Sequence, residues 1–317
     1  MAAAVALAFW APAAGAAFPA RRVADAGISV VFFLHGVGLS TEKLRSGLGR
    51  WRVHGLVQGF TFGVFPLLWW GAHASLGARL PPELSLGFLY LAALPSTISS
   101  SVALTGVARG NVAAAAFNAS LSSLLGVFLT PLLVEAGGMA AGELPLGEAI
   151  LQIAALLLVP FVLGQLARPV AGAWFARHRR LTNPVDRGVI LLLVYLSFSE
   201  SVSAGLWGRY GLRALALTIA GAGALLTLVL LLTRRMARLL RLEVEDEIAV
   251  VFCGSKKTLA SGVPMARLLF GDHPALGFIV LPIMVYHQLQ LLVCSVLAER
   301  YGRRGAPAPP PPAAAGR

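Results

Sequence analysis

Ten runs of mostly apolar residues divide the chain, at about 2–18, 26–40, 52–75, 84–107, 111–136, 147–167, 188–207, 211–233, 247–270 and 275–298. A helix that crosses a bilayer needs about 20 such residues, with a range near 17–25. The pattern therefore predicts ten membrane-spanning helices. The second run is short, and the fourth and ninth are interrupted by small and polar residues. Five spans in each half suggest a duplication: residues 1–136 form one five-helix unit, 137–146 a connecting loop and 147–301 a second unit. Residues 302–317 carry a Pro/Ala run that cannot build a core and read as a disordered cytoplasmic tail. The expected fold class is an all-α polytopic membrane protein.

Composition supports the pattern. The 317 residues are 57% hydrophobic and only 13% charged, with a mean hydropathy of +0.76. A soluble domain is nearer a quarter charged, because its surface faces water. A soluble enzyme is excluded on that ground, and the lipid bilayer is the expected surrounding. The 34 Gly and 19 Pro are tolerable in membrane helices, where neighbours satisfy freed backbone groups.

The net charge of +12 raises the question of nucleic acid. Nucleic-acid binders gather their basic residues on one face or arm, whereas here they stand between apolar runs. No nucleic-acid partner is expected. On the ten-span reading one side holds eighteen of the 26 Lys and Arg, among them Lys43, Arg50, Arg109, Arg179, Arg234 and Arg303; the other holds six, such as Arg21, Arg79 and Arg267. The basic side is expected to be cytoplasmic, which puts both termini there, in a bacterial inner membrane. Residues 1–18 read as a first membrane helix that begins abruptly, because the basic pair Arg21-Arg22 follows the apolar run where a signal peptide would have it in front. Cys253 and Cys294 lie in apolar stretches and read as buried hydrophobes.

The remaining two basic residues, Lys256 and Lys257, fall inside the ninth span. That span repeats the fourth: Ser99-Ser100-Ser101-Val102-Ala103-Leu104-Thr105-Gly106-Val107 aligns without gaps to Ser255-Lys256-Lys257-Thr258-Leu259-Ala260-Ser261-Gly262-Val263. An offset of five spans, an odd number, would run the two copies in opposite directions through the membrane, as an inverted repeat. Transporters place discontinuous helices at such matching points, with the solute site where the broken middles meet. Pro95 and Gly254 stand just before the two segments and would loosen helical hydrogen bonding there. The competing reading is close helix packing by small residues.

A lysine at the centre of a span costs about 2.5–3.5 kcal/mol on insertion scales, so at least one of the pair should face the interior. Its expected partners are Glu200 in the seventh span or hydroxyls of the fourth. Asn118 and Ser122, four apart, share a helix face. Ser99, Ser100, Ser101, Thr105, Asn118, Ser122, Ser123, Lys256, Lys257, Thr258 and Ser261 are the candidate solute- or ion-binding residues, with Glu200, His287 and Gln58 as candidate proton or charge partners. The bland reading of His287 is a packing residue, and His35 and His54 are expected near the interface. No phosphate loop, Gly-x-Ser-x-Gly elbow or His-Glu-x-x-His zinc motif is present in the sequence, and neither catalysis, a metal nor a cofactor is expected.

The chain resembles the bile acid:sodium symporter-like branch of the sodium/bile acid cotransporter superfamily. The resemblance runs from about Ile28 to Tyr301. It rests on Gly36-x-x-Leu39-x-Thr41-Glu42-x-Leu44, Leu94-Pro95-Ser96-Thr97-x-Ser99-Ser100-Ser101-Val102, Gly110-Asn111-x-Ala113-Ala114-Ala115-x-Phe117-Asn118 and Thr130-Pro131-Leu132-Leu133. It continues through Ile248-Ala249-x-x-Phe252-Cys253-x-Ser255, Lys257-Thr258-Leu259, Gly262-x-Pro264-Met265 and Pro282-x-x-x-Tyr286-His287. The resemblance implies ten helices in two inverted five-helix repeats, a core domain and a panel domain, and broken helices 4 and 9 that cross at the midplane. It also implies a ligand crevice between core and panel and movement by alternating access.

One departure matters. Sodium-driven members resemble this chain at the fourth span but carry an acidic residue and a glutamine in the crossing part of helix 9, where this sequence reads Ser255-Lys256-Lys257-Thr258. An ammonium offers donors and no acceptor, which argues against sodium coupling by that route and for the lysine standing in for the cation as a fixed charge. The expected function is secondary transport of a small organic anion or related solute, with Na+ or H+ as the open choice of coupling ion. A cation/proton antiporter-like carrier and a non-transporting regulator of ion homeostasis are the alternatives.

Overall fold

The structure, a computed structural model, describes residues 2–11, 20–38, 49–76, 80–138, 145–203, 205–271 and 273–304; inside the helices the side chain of Glu200 is among those outside the description. Only helices occur among the described residues. They are α1 (Ala2–Trp10), α2 (Ala20–Gly38), α3 (Trp51–Gly59, a π turn Phe60–Val64, then Phe65–Leu76), α4 (Pro82–Ala93), α5 (Ser99–Val107) and α6 (Val112–Ala136). Then follow α7 (Leu146–Ile153, a π turn Ala154–Leu158, then Val159–Arg177), α8 (Arg179–Ser203), α9 (Leu206–Leu239), α10 (Val244–Gly254), α11 (Gly262–Phe270) and α12 (Leu276–Gly302). Stretches Val112–Ala136, Leu146–Phe175, Gly211–Leu239 and Leu276–Gly302 are each long and apolar enough to cross a membrane unaided. The protein is a multi-pass helical membrane protein.

The two spans read as interrupted are each two helices. Leu94, forced out of the helical region by the proline that follows it, is extended at φ −69°, ψ 150°, and α5 resumes at Ser99. In the second half the helix stops at Gly254 and resumes at Gly262. Sequence and structure differ at the basic ends. The arginines expected in loops lie mostly on helices: α7 runs on to Arg177 and α8 begins at Arg179, with only His178 between them. Hydropathy marks the stretch that suits lipid, whereas arginine is a good helix former, so the helices continue past the apolar runs into the polar zone.

α2 lies along α7 and α8, and α1 along α8; α3 to α6 and α9 to α12 pack among themselves, with α4 laid against α12, and α8 also packs on α12 and α7 on α6. The α2–α7 contact depends on glycine. A Cβ at Gly36 would stand 2.2 Å from Phe161 O, and one at Gly164 2.2 Å from Phe33 O. The obstructing atoms are backbone, so the helices would have to separate. Gly164→Ala is expected to lower the unfolding midpoint by several degrees, since overpacking costs about 1–3 kcal/mol. Gly55→Ala, which would meet nothing within 4 Å, should leave it unchanged; equal midpoints for the two variants in a detergent melt would contradict a backbone-to-backbone contact here.

At the end that carries most of the arginines, α10 starts with Glu245, Asp246 and Glu247, acidic residues suited to a helix N-terminus. Asp246 accepts from Asn111 Nδ2 at 2.8 Å and pairs with Arg50 at 3.1 Å. Glu247 pairs with Arg238 at 3.1 Å and Arg234 at 3.5 Å, and accepts from the Tyr301 hydroxyl at 2.7 Å. This network ties the ends of α3, α6, α9, α10 and α12 together.

Candidate solute site at the helix crossing

The broken middles meet. The Thr258 N–H donates to Pro95 O at 2.9 Å, a direct main-chain bond between the two interrupted spans. Around it the chain's lost helical bonds are replaced one by one, as buried backbone groups require. Ser96 N donates to Ser122 Oγ at 2.9 Å, Ser96 Oγ to Cys253 O at 2.6 Å, and Ser101 Oγ to Phe252 O at 3.2 Å. Thr97 Oγ1 lies 2.8 Å from Ser100 Oγ and 2.9 Å from Ser101 Oγ. On the other strand of the crossing, Gln290 clasps Lys257: its Oε1 accepts from Lys257 N and its Nε2 donates to Lys257 O, both at 2.9 Å. The Tyr286 hydroxyl donates to Ser255 O at 2.6 Å, and the Tyr90 hydroxyl to Gly262 O.

Both lysine side chains are fully buried, and their surroundings differ. Lys257 Nζ donates to the carbonyls of Thr61 at 2.7 Å, Ala92 at 2.7 Å and Leu94 at 2.6 Å, and stands 4.1 Å from the centroid of the Phe65 ring. Among the described residues Lys256 Nζ makes one hydrogen bond, to Ser100 O at 3.0 Å, and it lies 5.7 Å from the centroid of the Phe252 ring. An ammonium carries three N–H donors, so Lys256 has two to offer a ligand. The sequence predicts at least one interior lysine, with a carboxylate or hydroxyls as its partners. Both are interior because residues 255–261 are not helical and the hundred-degree spacing does not apply; both are held by main-chain carbonyls.

The other candidates divide. Ser100, Ser101, Ser122, Thr258 and Ser261 belong to the crossing, where Ser261 N approaches Thr258 Oγ1 at 3.5 Å. Ser99 is exposed. Thr105 is buried toward the far end of α5, its hydroxyl without a partner, and its carbonyl accepts from Gly110 N. Ser123 bonds back to Ala119 O of its own helix, a packing role. Asn118 and Gln58 form a separate cluster between α6 and α3, with Gln58 Nε2 at 3.1 Å from Asn118 O and 3.3 Å from its Oδ1. His54, near the start of α3, joins that cluster at 2.9 Å from Asn118 Nδ2. His287 Nδ1 lies 2.9 Å from Gln290 Nε2, one step removed from Lys257. The side chain of Glu200 lies outside the described residues. Gln290, Ser96, Thr97 and Thr61 are additions: the first three stood in the sequence as polar residues in apolar runs, whereas Thr61 acts through its carbonyl and gave no signal. Cys253 and Cys294 are buried free thiols.

The sequence has relatives. The sequence profile of the SBF-like CPA transporter family matches residues 1–303. The chain is similar to "Uncharacterized protein PA2026" of Pseudomonas aeruginosa, at 51% identity over 89% of this chain and 85% of that one. It is similar to "Putative symporter YfeH" of Escherichia coli, at 43% identity over 90% of this chain and 89% of that one. With "Sodium/bile acid cotransporter 7" of Rattus norvegicus it shares 30% identity over 88% of this chain and 83% of that one.

Proposed function

We propose that this chain, which belongs to the SBF-like CPA transporter family, is a secondary active carrier of a small organic anion or related solute. It lies in a bacterial inner membrane with both termini cytoplasmic and works by alternating access. The observation that carries the reading is Lys256: a cation at the meeting point of two broken spans, fully buried, with two donors uncommitted among the described residues. A carboxylate, sulfonate or similar oxyanion would complete it, and unwound main chain beside it supplies further polar groups.

Alternating access follows from an inverted-repeat arrangement of ten helices, which the pairing supports. α4, the first piece of the fourth span, packs on α12, and α10, the first piece of the ninth, packs on α6. These are matching pairs if the halves are exchanged. The unit of α1, α2, α7 and α8 is the panel, the remaining helices are the core, and their relative rocking exposes Lys256 to one side and then the other. The rat relative is named for sodium and bile acid; for this chain the two buried lysines at the crossing favour a carrier without sodium.

Purified protein in proteoliposomes, screened for tracer uptake with a panel of organic anions and cations, tests the reading. Saturable uptake of an anion is the expected result. Proton-linked cation exchange would replace it with the antiporter, and silence across the panel from a folded protein would favour the regulator.

A further inference from the structure

Lys257 is not placed to meet a solute. Its three carbonyl partners are oxygens that the helices around it have been prevented from using. In α3 the Phe65 N–H goes to Phe60 O, five residues back, as a π turn requires. Thr61 O would then need the N–H of residue 66, which is Pro66 and has none. In α4 the next helical donor for Ala92 O is Ser96 N, which is spent on Ser122 Oγ. Leu94 O lies past the last helical residue of α4, in the break. Two prolines and one serine thus leave three oxygens converging on a point 2.6–2.7 Å from each, with an aromatic face closing the fourth side at 4.1 Å. Converging main-chain carbonyls are how proteins replace the hydration shell of a monovalent cation. The nitrogen at that point must be an ammonium: three carbonyls need three donors, and a neutral amine has two and would turn its lone pair on the third oxygen.

We infer that these carbonyls form a monovalent-cation cage whose occupant is the chain's own Lys257, so that emptying it creates a site for a free alkali or small ammonium ion. The inference rests on and deepens the carrier reading by separating the roles of the two lysines, but its test reads cation binding and needs no transport. In this division Lys257 is a permanent counter-ion that closes the crossing, and Lys256 alone is left for the solute. The break is therefore held by a cation that cannot dissociate.

The experiment is a thermal melt of the purified full-length protein in detergent, titrated at constant ionic strength with sodium, potassium or methylammonium chloride against choline, which is too large for the cage. The native midpoint should be indifferent to the cation. Lys257→Ala should unfold at lower temperature and recover saturably with at least one of the small cations, by about 5 °C when the site is filled, and not with choline. A Lys257→Ala protein blind to cation identity would overturn the inference, as would a native protein with the same saturable shift. Lys257→Gln guards against a variant that does not fold. Its amide fills the volume and donates two hydrogen bonds without charge, so it should melt below native and ignore cations. A Lys257→Gln midpoint equal to native would show that the cage needs no cation and would overturn the inference equally.

Discussion

Lys256→Ala is expected to reduce anion uptake at limiting concentration about 10- to 100-fold while leaving the protein folded. Hydrogen bonds to a charged group contribute about 1.5–3 kcal/mol, and loss of that interaction with the solute appears in the specificity ratio. The folded state loses little, because the Lys256 ammonium has one acceptor among the described residues, Ser100 O at 3.0 Å. Deleting a buried charge with so few partners removes a desolvation cost that an unpaired ion carries, so the unfolding midpoint should hold or rise. Uptake assays and melts on one preparation check both halves. Undiminished uptake would remove Lys256 from the site, and a collapse in stability with no separable transport effect would make it structural.

The second large effect is Gln290→Leu, which is expected to lower stability by about 2–6 kcal/mol. The Gln290 amide satisfies both the N–H and the C=O of Lys257, at 2.9 Å each, where no helix can. Each buried backbone group left unpaired costs about 1–3 kcal/mol. Gln290→Leu keeps the volume and removes both partners. Gln290→Glu keeps the acceptor for Lys257 N but, as a carboxylate, cannot donate to Lys257 O and buries a charge, so it too should unfold below native. Denaturant or thermal unfolding of the three proteins orders them; a Leu variant as stable as native would mean that water reaches the break and that the crossing is not dry. His287, 2.9 Å from the same amide, gains its importance through this clasp.

What the sequence revealed and what it withheld follow from the physics of each signal. The breaks were legible because proline and glycine weaken helical hydrogen bonding, and Pro95 and Gly254 stand beside hydroxyl clusters inside apolar runs. The lysines were legible because charge inside a span is costly. Their partners were not, because those partners are carbonyls. Every residue has one, and which become free depends on where helices stop. Pro66 was visible in the third span, but its consequence, an orphaned Thr61 carbonyl, depends on a π turn that no composition or periodicity announces. The i,i+4 spacing that joined Asn118 to Ser122 held for the helix face yet not for the destination, since Asn118 turns to Gln58 and His54 on α3 while Ser122 turns to Ser96. The helix ends extended further than the apolar runs because lipid sets the run and helix propensity sets the helix.

If the charge that balances the solute is built into the chain, transport needs no sodium to supply it. The decisive quantity is the initial rate of anion uptake into proteoliposomes at fixed pH and clamped membrane potential, with external sodium replaced stepwise by choline. The rate should be independent of sodium in the native protein and reduced in Lys256→Ala whether or not sodium is present. A saturable rise in native uptake with sodium would show that the balancing charge comes from outside the chain.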